Sequence, residues 1–140
     1  IHPTFYGADG IVQMSDSRRL ELWLEEFKKF EAAGEMPRFT VLSLSGDHLL
    51  GTRPGAQTPR AMMAENDLAL GRMIEAISKS RFWPQTAVFV VEDDAQNGPD
   101  HVDCHRTVAL VASPYLRRGF VDSSMYSTSS MLRTMTIDQG

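Results

Sequence analysis

Between residues 92 and 106 the chain reads EDDAQNGPDHVDCHR, which gathers Glu92, Asp93, Asp94, Asp100 and Asp103 with His101, His105 and Arg106. Carboxylates this close raise one another's pKa unless a cation or hydrogen-bond donors offset their repulsion. A divalent metal does so directly: carboxylate oxygens suit hard ions such as Mg, Ca or Mn, and imidazole extends the range to Zn or Fe. Gly98 and Pro99 supply a turn that can fold His101, Asp103 and His105 back toward Asp93 and Asp94. The same residues also suit a solvated acidic loop whose histidines make ordinary hydrogen bonds and whose carboxylates pair with Arg106. An EF-hand is excluded, because counting from Asp93 puts Ala95 at position 3 and Cys104 at position 12.

A second candidate is Gly46-Asp47-His48. A neighbouring carboxylate can bring an imidazole near neutrality, so His48 beside Asp47 could protonate a leaving oxygen or bind an anionic substrate. A plain exposed pair is the structural alternative. The nearby GTRPG, residues 51 to 55, lacks the spacing and Lys of a phosphate-cradling loop, although Arg53 can still reach a substrate anion. No Gly-x-Ser-x-Gly elbow occurs, so a hydrolase built on this chain needs a metal-activated water or a nucleophile from elsewhere.

Elements that would carry these residues follow from periodicity. Leu20, Trp23, Leu24, Phe27 and Phe30 recur at spacings of three and four and predict a helix capped by Ser15 or Ser17 and ended by Gly34 and Pro37. RFTVLSLS, residues 38 to 45, predicts a strand leading into the 46–53 loop. Residues 58 to 80 predict a second helix with Thr58 as cap, Pro59 at its first position, and Met62, Leu68, Ile74 and Ile77 on its inner face. TAVFVVE (86–92) and TVALVAS (107–113) are continuous apolar runs expected in strands covered on both faces, and YSTSSMLRTMTIDQ predicts a last helix behind hydroxyl caps. This alternation predicts an α/β sheet with helices on its faces and with both polar loops along one rim, at the carboxyl ends of strands.

A length of 140 residues, 42% hydrophobic and 23% charged, fits a single folded domain spanning 1–140. The net charge of -4 argues against a broad nucleic-acid surface. No apolar run approaches the roughly 18 residues of a transmembrane span. Cys104 is the single cysteine, so neither an internal disulfide nor a thiolate metal cluster can form. The opening IHPTFYGADG has no initiator Met and suggests a piece of a longer protein.

Taken in order, GDHLLGTRPG, MAENDLALGRMIEAIS, EDDAQNGPDHVDCHR, SPYLRRG and VDSSMYSTSSMLRTM resemble the C-terminal half of bacterial phosphoesterases of the alkaline phosphatase superfamily, relatives of phosphatidylcholine-type phospholipases C and certain acid phosphatases. The resemblance covers residues 15 to 136. It implies a partial alkaline phosphatase-like sheet, mostly parallel, with flanking helices. It also implies a phosphate-ester substrate and a divalent metal, Zn, Mn, Mg or Ca, with Asp93 and Asp94 as first ligands and His101 or His105 as further ones. Asp47 and His48 match the family's acidic-His motif, implied to bind substrate or protonate the leaving group. Two departures stand out: the family's usual Asn is Gly46 here, and its Asp-His before the last helix is Ser127-Thr128. The family's acidic-Asn metal motif and its Ser or Thr nucleophile, both N-terminal, have no counterpart in these residues, so little or no catalysis is expected from the chain alone. A non-catalytic metal-binding or regulatory module is the alternative. A periplasmic or extracellular location follows from the resemblance only, and exposed sheet edges would favour self-association.

Overall fold

A computed structural model describes residues 14–48, 53–93 and 105–137. The chain divides into two compact units, Ile1–Phe82 and Trp83–Gly140.

The first unit is built on two packed helices, α1 (Asp16–Ala33) and α2 (Pro59–Ser78). Ser15 caps α1 by accepting the Arg18 N–H on its hydroxyl, and Thr58 caps α2 in the same way from Ala61. Pro59 at the start of α2 gives up an N–H that would have had no partner in the helix. Gly34 ends α1 with φ 76, a left-handed turn that lets its N–H reach the Phe30 carbonyl at 2.8 Å. Leu20, Leu22, Trp23 and Phe27 from α1 are buried, as are Met62, Ala69, Met73 and Ile77 from α2. Trp23 stacks on Phe27 with ring centroids 4.8 Å apart, and Phe82 meets Phe27 edge-on.

Leu68, expected on the inner face of α2, is instead 57% exposed. The stripe runs through residues 62, 69, 73 and 77, and position 68 stands about 100° away from 69 around the helix. Residues 38–45, expected as a strand, form no ladder in the described structure. This segment is anchored by side chains of the two helices.

The second unit holds a short 3₁₀ turn (Trp83–Gln85), β1 (Val88–Val91), β2 (Ala109–Ala112) and α3 (Thr128–Ile137). The strands pair antiparallel, with Val88 opposite Ala112 and Val91 opposite Ala109. This overturns the expected mostly parallel sheet: the described residues contain three α-helices and a sheet of only two antiparallel strands. The physical reason lies in the connection. A parallel pair needs a crossover that carries the chain back along the sheet, whereas a chain that returns at the same end makes a hairpin. Apolar runs signal strands but not their direction. The runs are also not covered on both faces, since Val91, Leu110 and Val111 are exposed. Ser127 opens α3 by accepting the Ser130 N–H on its hydroxyl. No helix among the described residues is long and apolar enough to cross a membrane.

Candidate functional site

Asp47 and His48 lie in the turn that follows the extended 38–45 segment, Asp47 half-buried and His48 exposed. The His48 N–H donates to the Ser45 carbonyl at 3.2 Å and closes this turn. Its support comes from the helices. The Asp16 carboxylate accepts the Gly46 N–H at 2.9 Å, and the Asn66 side-chain amide donates both to Asp16 Oδ2 and to the Leu44 carbonyl at 3.0 Å. The other Asp16 oxygen accepts from Arg19 at 2.7 Å, and both side chains of this ion pair are 0% exposed. Burial of two charges is tolerated only when they are paired and hydrogen-bonded, and Asp16 meets both conditions.

Glu65, beside Asn66 on α2, accepts the Ser17 N–H at 3.4 Å, one of the amides at the start of α1 that has no carbonyl partner within the helix. Burial pushes the Glu65 carboxyl up, but hydrogen bonds from Ser17, Ser15 and Gln57 outweigh it and hold the group below its ordinary value. Adjacent residues of α2 therefore fasten two things: the head of α1 and the turn that presents His48.

In the second unit the acidic segment leaves β1 and returns into β2. The Glu92 N–H donates to the Val108 carbonyl at 3.1 Å, and the Thr107 hydroxyl donates to the Glu92 carbonyl at 2.7 Å. The ladder ends at Val91 and Ala109; Asp93 lies two residues beyond its last β1 position, and His105 lies four residues before its first β2 position. Both Asp93 and His105 are exposed there. Asp94 and His101, the other candidate ligands, lie outside the described residues, as do Asp100 and Asp103. Among the described residues no three His, Cys, Asp or Glu side chains gather closely enough to hold a metal ion. The two described candidates are nonetheless brought to one end of the ribbon, and a carboxylate with an imidazole suits several divalent ions.

Sequence reasoning placed Asp47, His48, Asp93 and His105 but missed Asp16, Arg19 and Asn66. A signal was present. Asp16 and Arg19 head the stripe that continues through Leu20, Trp23 and Phe27, and Asn66 falls in the stripe of Met62, Ala69 and Met73. Polar residues on an apolar stripe at helical spacing mark buried groups in need of partners. No protein family, curated protein or solved structure matches the chain.

Proposed function

We propose that this chain is the C-terminal portion of a metal-dependent phosphoesterase, supplying metal ligands and the contact to the substrate's anion or leaving group. What supports the reading is that the acidic segment joins two paired strands, so Asp93, two residues after β1, and His105, four residues before β2, flank it where it leaves and rejoins the ribbon. Asp93, Asp94, His101 and His105 would hold the ion. When bound, a divalent metal supplies Lewis-acid polarisation of a phosphoryl oxygen and stabilises an attacking alkoxide. In the first unit, taken by itself, His48 is exposed at its turn with Asp47 beside it, and its proposed part is contact with a phosphate anion. The hydroxyl nucleophile would come from the N-terminal half of the parent enzyme. Self-association through the open edges of the ribbon belongs to the same proposal, since each described strand has one hydrogen-bonded neighbour.

The test is ³¹P relaxation of inorganic phosphate in the presence of the chain and Mn²⁺. The expected result is strong paramagnetic broadening that depends on the chain, is reversed by excess Zn²⁺, and is lost in Asp93→Asn. Phosphate relaxation by Mn²⁺ that is the same with and without the chain would reject the proposal.

A further inference from the structure

We infer that Asp16 is a positioning residue for the Asp47-His48 turn, fixing where His48 meets a phosphate group; the functional half of this inference rests on the phosphoesterase reading. Three donors converge on the Asp16 carboxylate: the Arg19 guanidinium at 2.7 Å, the Gly46 N–H at 2.9 Å and the Asn66 amide at 3.0 Å. Asn66 also holds the Leu44 carbonyl, so the chain is fastened on both sides of Ser45, whose own carbonyl accepts the His48 N–H. Only one residue, Asp47, separates the carboxylate's grip on Gly46 from His48. An exposed imidazole is thereby hung from a fully buried ion pair instead of from a sheet ladder.

The identity of residue 46 follows from this contact. A Cβ at position 46 would stand 2.5 Å from Asp16 Oδ2, closer than real atoms approach, so a side chain there and the carboxylate bond exclude each other. The φ of Gly46 is not positive, and the requirement for glycine is therefore one of space.

Charge fits the role as well. A carboxylate near a phosphate site would ordinarily repel its ligand, but Arg19 neutralises Asp16 where the two are buried. An uncharged amide cannot take over. Every partner of both Asp16 oxygens is a donor, so either orientation of an asparagine turns its NH₂ toward another donor.

The experiment is heteronuclear NMR of the whole chain with Mg²⁺, following the Gly46 amide and the His48 imidazole during titration with inorganic phosphate. In the wild type, Gly46 exchanges slowly with solvent and phosphate shifts the His48 resonances. In Asp16→Asn the expected result is Gly46 exchange at least about tenfold faster than in the wild type, relative to core amides of α2. Half-saturation of the His48 shift should need about tenfold more phosphate, the equivalent of 1.4 kcal/mol. Gly46→Ala is the second variant, because it leaves both charged residues in the sequence while a Cβ at 46 and the Asp16 carboxylate exclude each other; faster exchange of the residue-46 amide and the same weakening of the phosphate response are expected. If either folded variant keeps both the protection of its residue-46 amide and the phosphate response, Asp16 is not a positioning residue. If phosphate moves His48 equally in all three proteins, the phosphoesterase reading stands and the Asp16 inference falls. If phosphate leaves wild-type His48 unmoved while the variants lose protection of the residue-46 amide, the tether exists but the functional reading fails, and the positioning role fails with it.

Discussion

Asp16→Asn changes one atom at the place where α1, α2 and the 44–48 turn meet. The side chain is fully buried and keeps its shape, so the effect is electrostatic. Removing the charge from one member of a buried pair costs about 3–5 kcal/mol, because the remaining charge stays in a low-dielectric site. The amide must also point its NH₂ at the Arg19 guanidinium or at the Gly46 and Asn66 donors, which costs about 1–3 kcal/mol for groups left unsatisfied. These contributions share one side chain and do not add, so a net loss of about 3–4 kcal/mol is expected. Domains of this size are stable by about 5–15 kcal/mol, so the loss is a large fraction of the total. The assay is urea unfolding followed by Trp23 fluorescence in a Trp83→Phe background, since Trp23 is buried in α1 against Phe27. With a urea slope of about 1–2 kcal/mol per molar, the midpoint falls by about 2 M. A companion, Asp16→Leu with Arg19→Met, removes both charges and is expected to recover most of that loss, because no unpaired charge stays buried. It should still leave the Gly46 N–H without its acceptor. A midpoint shift under about 0.5 M for Asp16→Asn, or a double variant weaker than the single one, would refute the reasoning.

Two further outcomes are expected. Glu65 has its carboxyl pKa lowered in the folded chain, so it contributes stability above the ordinary carboxylate range that is lost as pH falls through the lowered value; Glu65→Gln should weaken the protein at neutral pH and match the wild type in acid, and an equal gap in urea midpoint at both would contradict this. Gly34→Ala places a Cβ on a left-handed residue, with Arg81 Nη1 at 3.3 Å from it, and is expected to cost about 1 kcal/mol in the same assay, whereas a gain in stability would show that the α1 cap is not held as described.

Helices were the most legible part of the sequence because their signals are local. Ser15, Thr58, Pro59 and Gly34 each act within one turn of chain, and of the expected α1 stripe Leu20, Trp23 and Phe27 are buried, while Leu24 and Phe30 are part-buried and the buried Leu22 was not read. Leu68 was misplaced because a single large apolar residue drew the reading one position away from Ala69, the small residue that lies on the packed face. The segment 38–45 carries strand-forming residues without the ladder partner that would make it a strand, and partners are set by tertiary structure. Ribbon direction was illegible for the same reason: Val88 to Val91 and Ala109 to Ala112 read alike in either orientation. At the candidate site, Asp47 and His48 were proposed from their residue types alone, whereas Asp16 was hidden as an ordinary first-turn acid. Its importance depends on Gly46 and Asn66, 30 and 50 residues away in the chain.

The phosphoesterase proposal requires that Asp93, Asp94, His101 and His105 bind a cation. Isothermal titration calorimetry of the whole chain with Mn²⁺ and Zn²⁺ measures it directly. One ion per chain is expected, with affinity reduced at least about tenfold in Asp93→Asn and in His105→Ala, because each removes a ligand from the same site. No saturable heat with either ion, or binding that both substitutions leave unchanged, would contradict it.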